Sequence, residues 1–228
     1  KTSYTNKAIN KLFDAYVNYM KEIKETHSIG LMLGHSYQSF EFDDNSTDYS
    51  YFINPGDNKE VPNINKSRNV LMSFFGRANY SYKDRYLLTA TLRADASSKL
   101  NPDDRWGYFP SVSVGWRLSQ ENFLKNVEWL SELKLRGGWG QTGNQAGISD
   151  YGYLQRYKIA RQNWWGNGAN ANAMITLTPN SFSNPNLTWE TTTQSNIGLD
   201  IALFKNRLSL AVDAYLKKTT DLLMDVPL

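Results

Sequence analysis

His27 and His35 are the only histidines in a chain of 228 residues, and there is no cysteine. His27 falls at a tight turn and His35 eight residues later on the strand that follows. Without cysteine or an HExxH-like spacing, neither a nucleophilic triad nor a zinc site has support. A glycosidase pair of carboxylates is defined by a separation that folding sets, and no acidic residue stands in an aromatic-cleft pattern. The sequence thus points away from an enzyme and calls for no cofactor or metal. The densest acidic cluster, Asp43, Asp44, Asn45, Ser46, Thr47 and Asp48, offers oxygens of the kind calcium takes. It lacks the glycine and glutamate that an EF-hand loop places sixth and twelfth, so a solvated loop is the expectation.

The richest binding chemistry lies in an insertion, where Arg161, Gln162, Asn163, Trp164, Trp165 and Asn167 follow Tyr153 and Tyr157. Flat indoles cover the C–H faces of sugars while amides and guanidinium pair with hydroxyls, so this mixture suits a carbohydrate contact. The same residues suit a protein partner, since Trp and Arg are hot-spot types, or the packing of one loop on another. Gly137-Gly138-Trp139-Gly140 lacks the strand-to-helix setting of a phosphate loop and reads as a glycine-rich strand that something bulky approaches.

The elements carrying these residues are strands. Apolar residues make up 40% of the chain, too many for disorder. The 25 Lys and Arg against 22 Asp and Glu leave a net charge of +3, too mild and too evenly spread for nucleic acid. The aromatic content, 14 Tyr, 10 Phe and 7 Trp, leans all-β. No apolar run is long enough for a transmembrane helix, but a transmembrane strand needs only about 10 alternating residues. Alternation is what recurs. Tyr86, Leu88, Ala90, Leu92, Ala94 and Ala96 share one face, with Thr89, Thr91, Arg93 and Asp95 on the other; Tyr108, Val112, Val114, Trp116 and Leu118 oppose Ser111, Ser113 and Arg117. Counting such segments predicts about eight strands, over 4–24, 27–42, 67–82, 85–98, 107–119, 132–142, 188–204 and 207–221.

Connections alternate between short and long. Glu25-Thr26, Lys83-Asp84 and Lys205-Asn206 are tight turns, and 120–131, with a short amphipathic helix around Phe123, Leu124, Val127 and Leu130, falls on the same side. Segments 43–66, 99–106 and 143–187 are longer and rich in Asn, Asp, Gly and Pro. Up-and-down strands with short turns at one end and long loops at the other describe the wall of an outer-membrane barrel, with aromatic residues near both ends. A soluble β-sandwich shows the same period.

Tyr80–Leu100 (YSYKDRYLLTATLRADASSKL), Trp106–Leu124 (WGYFPSVSVGWRLSQENFL), Leu133–Gln145 (LKLRGGWGQTGNQ) and the stretch Asn184–Met224 opening NPNLTWETTTQSNIGLDIALF resemble the SusC/RagA family of TonB-dependent outer-membrane transporters of the Bacteroidota. The resemblance implies an antiparallel up-and-down transmembrane β-barrel wall, about eight strands of a 22-stranded barrel. It also implies outer-membrane lipid around the barrel, a plug domain that engages TonB, a SusD-like surface lipoprotein as lid, and import of oligosaccharides or peptides. The matched segments contain no plug or TonB box, and the chain starts at Lys1 rather than at Met. Residues 1–228 are therefore expected to be part of a barrel domain, with long loops at 43–66 and 143–187. Arg93, Asp95, Arg117, Lys134, Arg136 and Asp200 are expected to face the lumen, bonding across strands and touching the plug. The rival readings are a soluble surface or periplasmic β-sandwich that binds glycans through exposed aromatic residues, and a β-rich glycan hydrolase. In a sandwich the apolar row would interdigitate with a second sheet.

Overall fold

The computed structural model describes the backbone of residues 2–50, 59–163, 173–181 and 184–224, and the side chains of 3–47, 65–157 and 184–224. Ten strands follow in chain order: β1 (Thr2–Ile23), β2 (His27–Ser50), β3 (Lys59–Tyr82), β4 (Tyr86–Ser97), β5 (Trp106–Arg117), β6 (Leu130–Asn144), β7 (Arg156–Asn163), β8 (Ala173–Ser181), β9 (Glu190–Leu203) and β10 (Leu208–Thr220). Eight of them form one antiparallel sheet in the order β1-β2-β3-β4-β5-β6-β9-β10, and β7 and β8 form a separate hairpin. Among the described residues the sheet does not close on itself, and β1 and β10 each keep one unpaired edge.

Three tight turns lie at one end of the sheet. Lys24-Glu25 and Lys83-Asp84 both take positive φ at two successive positions, and Phe204, Lys205 and Asn206 at three. Two successive left-handed residues are what a two-residue hairpin needs to match the twist of its strands. Here ordinary side chains accept that conformation. The fourth connection at this end is not the expected helix. A 3-10 turn over Leu118–Gln120 is followed by further turns up to Leu130. A short helix needs a surface on which to bury its apolar stripe, and Phe123 and Trp129 stay exposed. The link is held by polar bonds instead. Glu121 accepts hydrogen bonds from Tyr86 Oη (2.7 Å), Trp116 Nε1 (3.1 Å) and Arg85 Nη1 (3.3 Å).

Two further expectations are corrected at the opposite end. Segment 43–66 is largely a continuation of strands: β2 and β3 stay paired from Asp43↔Lys66 to Ser50↔Lys59, and β1 pairs with the other edge of β2 as far as Thr2↔Asp48. The Asn-, Asp- and Ser-rich composition suggested a loop, but backbone pairing on both sides of β2 satisfies these residues, so the acidic cluster is a strand. Segment 143–187 is likewise no plain loop, because it carries the β7–β8 hairpin.

The parity of each strand sorts its side chains onto two unlike faces. One face carries the apolar rows of β1 to β6, β9 and β10, and nothing among the described residues covers it: Leu33 is 71% exposed, Val114 55% and Ile197 57%. This exposure rules out the sandwich, in which that row would be packed against a second sheet. Two aromatic rows bound the band. At the turn end, His27, Tyr82, Tyr86 and Trp116 follow one another across four strands, their rings 4.8 Å, 6.2 Å and 6.2 Å apart, and His27 Nδ1 shares a 2.8 Å hydrogen bond with Tyr80 Oη. Toward the other end, the His35 and Trp106 rings lie 4.6 Å and 6.2 Å from that of Phe74, and His35 Nδ1 donates to the Ser73 carbonyl (3.0 Å). From His27 to Tyr37 the strand runs about 33 Å. A tilt of about 40° reduces this to about 25 Å, the height of a lipid-facing band.

Two outcomes are expected from this geometry. Val112→Arg, at mid-height on the apolar face, lowers the unfolding free energy of the whole barrel by roughly 2–4 kcal/mol, whereas Ser113→Arg, one residue on and facing the other way, costs less than about 0.5 kcal/mol. Denaturant titration in lipid vesicles measures both. The hydrogen bonds from Tyr86 and Trp116, and the nearby Arg85, hold the Glu121 carboxyl below its ordinary pKa. Its contribution is therefore complete above the unfolded-state carboxylate value and is lost as pH falls through the depressed folded-state value. Glu121→Gln accordingly lowers the melting temperature at neutral pH, and the gap between variant and wild type closes at strongly acidic pH.

Candidate functional site: the polar face and its anchored insertion

The second face of the sheet is hydrophilic. Thr89 and Thr91 on β4 stand beside Ser113 and Ser111 on β5, these beside Gly138 and Gly140 on β6, and these beside Asn196 and Gln194 on β9. The rows border a hollow of about 1020 Å³. Thr, Ser, Asn and Gln side chains stand among glycines and apolar residues in its lining, which also includes the aromatic rings of Phe109 and Trp189.

Arg93, Asp95, Arg117, Lys134, Arg136 and Asp200 all fall on this polar face by strand register. They work in separate groups. Arg93 Nε donates to both carboxylate oxygens of buried Asp95 at 2.8 Å, and Arg93 Nη2 reaches Ser73 Oγ at 2.9 Å. The guanidinium also lies over the Phe75 ring, 5.9 Å from its centroid. A carboxylate that is taken from water needs such pairing, because an uncompensated buried charge is costly.

Lower on the same face, Arg136 binds Asp200 through two bonds, Nε–Oδ2 at 2.7 Å and Nη2–Oδ1 at 2.8 Å, and meets Asp213 Oδ1 at 3.0 Å. One planar guanidinium thus spans β6, β9 and β10. Gly198 lies directly under it, and a Cβ there would fall 2.3 Å from Asp213 Oδ1 and 2.8 Å from Arg136 Nη2. Arg117 Nε lies 3.7 Å from Glu132 Oε1, and the Lys134 side chain passes over Gly115. Asp213 and Glu132 were not among the expected residues. Asp213 alternates with the apolar Val212 and Ala214, and that parity was the signal that placed it opposite them.

The insertion between β6 and β9 is tied down at its base. Leu100, Phe109, Ile148 and Trp189 form a small buried cluster, joined by Leu71, Leu187 and Leu223. Phe109 faces inward, its ring edge-on to Trp189 at 5.5 Å. Only glycine fits beneath it at Gly143, where a Cβ would come within 2.1 Å of the ring. Polar bonds surround the cluster. Lys99 Nζ donates to the Ile148 carbonyl (2.9 Å), Asn69 Nδ2 to Asp150 Oδ1 (3.1 Å), Asn101 Nδ2 to the Pro185 carbonyl (3.3 Å) and Trp189 Nε1 to the Arg105 carbonyl (3.0 Å). Arg156 donates to the Asp150 carbonyl and lies over Tyr151. The insertion therefore leaves from β6 but is fastened to β3 and the β4–β5 hairpin.

Tyr153 is half-buried in this base, while Tyr157, at the start of β7, is exposed. Arg161, Gln162 and Asn163 close β7, with backbones opposite Ile175, Met174 and Ala173; their side chains lie outside the described residues, as do Trp164, Trp165 and Asn167 altogether. Among the described residues no three acidic or histidine side chains group as a metal site.

Truncating the centre of the anchor tests its role. Trp189→Ala removes about 3–5 kcal/mol of packing, and hydrogen exchange should rise across residues 145–157 while the amides of β4 and β5 keep their protection.

Comparison with known proteins accounts for the whole chain. The family described as "TonB dependent receptor-like, beta-barrel" matches residues 2–228. TonB-dependent receptor SusC of Bacteroides thetaiotaomicron is 40% identical over 221 residues, 95% of this chain and 22% of the relative. TonB-dependent receptor P26 of Formosa agariphila is 36% identical over 220 residues, 92% of this chain and 22% of that protein. Among solved structures, the RagAB peptide transporter superposes with a TM-score of 0.86 at 27% identity, over 100% of this chain and 25% of that one. The chain thus spans about a fifth of the length of the curated relatives it matches. A sheet with one bare apolar face and one hydrophilic face, and a sequence alignable from end to end, lead to one assignment: the chain belongs to the TonB-dependent receptor-like β-barrel family, as an arc of a SusC-type barrel wall.

Proposed function

We propose that this chain supplies wall and extracellular loops to an outer-membrane transporter of the SusC/RagA type, which imports oligosaccharides or peptides. Its partners are a SusD-like surface lipoprotein over the mouth and TonB acting through a plug domain. The observation that carries this reading is the pairing of faces. The apolar band, bounded by aromatic rows, suits lipid, while the reverse side presents hydroxyls, amides and paired charges suited to a water-filled lumen. The tight-turn end is then periplasmic, and the insertion with its hairpin is extracellular.

On this reading Arg93, Asp95, Arg117, Lys134, Arg136 and Asp200 line the lumen and keep the wall hydrophilic without catalysing anything. Arg161, Gln162, Asn163, Trp164, Trp165 and Asn167, with Tyr153 and Tyr157, belong to the insertion that meets substrate or lid. Such a wall is a fixed frame. In support, the same residues superpose on the RagAB peptide importer in its "closed-closed" and "open-open" states with TM-scores of 0.84 and 0.83. Peptide as the cargo is favoured by the likeness to a peptide importer, and oligosaccharide by the adjacent indoles among amides.

Uptake by cells producing the whole protein tests the proposal. Labelled oligosaccharides and labelled peptides are supplied to cells with the gene, without it, and with it in a TonB-deficient background. One substrate class should accumulate only when both the gene and TonB are present. Equal accumulation in all three strains for every substrate would overturn the reading. Replacing Trp164 and Trp165 by alanine should reduce uptake of that substrate at least about tenfold if the indoles are contact residues.

A further inference from the structure

Just beyond the upper aromatic row, the outward face of β1–β3 changes character from apolar to basic. Lys11 stands beside Ser39, two residues past the Phe13–Tyr37 pair; Ile9, Glu41 and Arg68 form the next outward row, and Lys7, Asp43 and Lys66 the one after. Four cations face two carboxylates. Lys11 Nζ donates to Glu41 Oε1 at 3.2 Å and Arg68 Nε lies 3.7 Å from the same oxygen, while Lys66 Nζ is 4.0 Å from Asp43 Oδ2. One carboxylate shared by two cations leaves positive charge unspent, and the cations remain open: the Lys11 and Arg68 side chains are 62% and 58% exposed.

Height makes this charge specific. Two residues of a strand tilted by about 40° rise about 5 Å, and four rise about 10 Å. Lys11 and Arg68 therefore stand roughly 5–10 Å above the apolar band, the depth of a lipid headgroup layer. We infer that this outward basic ladder binds the phosphate-bearing headgroup of an outer-leaflet lipid, with Lys11 and Arg68 as the principal contacts and Glu41 offsetting part of their charge. The acyl chains of the same lipid would lie along the apolar face below, beside Phe13, Val17 and Leu33. The inference rests on the apolar band being embedded in the outer membrane.

Native mass spectrometry of the whole transporter in detergent, titrated with lipid A, tests it. Wild-type protein should retain lipid A, and the same lipid stripped of phosphate should be retained far less. Each cation near an anionic surface is worth about fivefold, so K11Q/R68Q should weaken retention about 25-fold. E41Q should strengthen it several-fold, a gain that a merely structural role for Glu41 would not produce. Heat-modifiable gel mobility reports whether each variant still forms the barrel; should the double variant fail to fold, the E41Q gain and the dephosphorylated lipid carry the test. Equal retention by wild type and a folded K11Q/R68Q variant, equal retention of dephosphorylated lipid A, or displacement by equimolar inorganic phosphate would each overturn the inference. Absence of the whole protein from outer-membrane fractions would instead remove the membrane reading on which the inference stands, a separate measurement with a separate outcome.

Discussion

Backbone hydrogen bonding in a medium that offers no substitute is the constraint on which the rest of this structure depends. In lipid each N–H and C=O must find a partner within the protein, so strands can cross only as members of a continuous sheet. A continuous sheet fixes the two-residue period, and the period divides the sequence into two surfaces that never mix. Every other feature follows from which surface a residue belongs to. Val112 and Ser113 are neighbours in the chain yet lie on opposite faces, and a one-residue slip of β5 would exchange every side chain of that strand between the two. Cross-strand ties such as Arg136 with Asp200 and Asp213 penalise such slips from the hydrophilic side.

The buried cluster of this chain is small and lies off the sheet's apolar face. Leu100, Phe109, Ile148 and Trp189 serve the insertion rather than the wall. This division of labour follows from the setting: lipid covers what a soluble protein would have to pack, leaving side-chain packing for fastening an appendage. The polar bonds around the cluster, from Asn69, Lys99, Asn101 and Trp189, are all made between segments far apart in sequence. The base of the insertion is therefore held by the folded wall.

Much of this was legible in the sequence, and the illegible part has physical causes. Alternation placed the eight wall strands and set Arg93, Asp95 and Arg117 opposite the apolar rows of their own strands, because parity is a local property of a pleated strand. Turn chemistry located the three tight hairpins to within a residue or two. Composition misled where it stood in for pairing: Asp43–Asp48 looks like a loop, yet its backbone bonds lie with β1 and β3, and no local signal reports a partner strand. The Glu121 cluster was also hidden, since Tyr86 and Arg85 reach it across 35 and 36 residues of chain.

The unbroken pairing of β2 with β3 beyond the aromatic row has a mechanical consequence. From Tyr37 to Ser50 the hairpin advances thirteen residues, about 33 Å of rise at a tilt of about 40°. A ribbon also paired along its β1 side as far as Asp48 resists bending in the plane of the sheet, where a loop of equal length would collapse. In the orientation proposed above, it sets a stand-off distance on the extracellular side of this flank of the barrel.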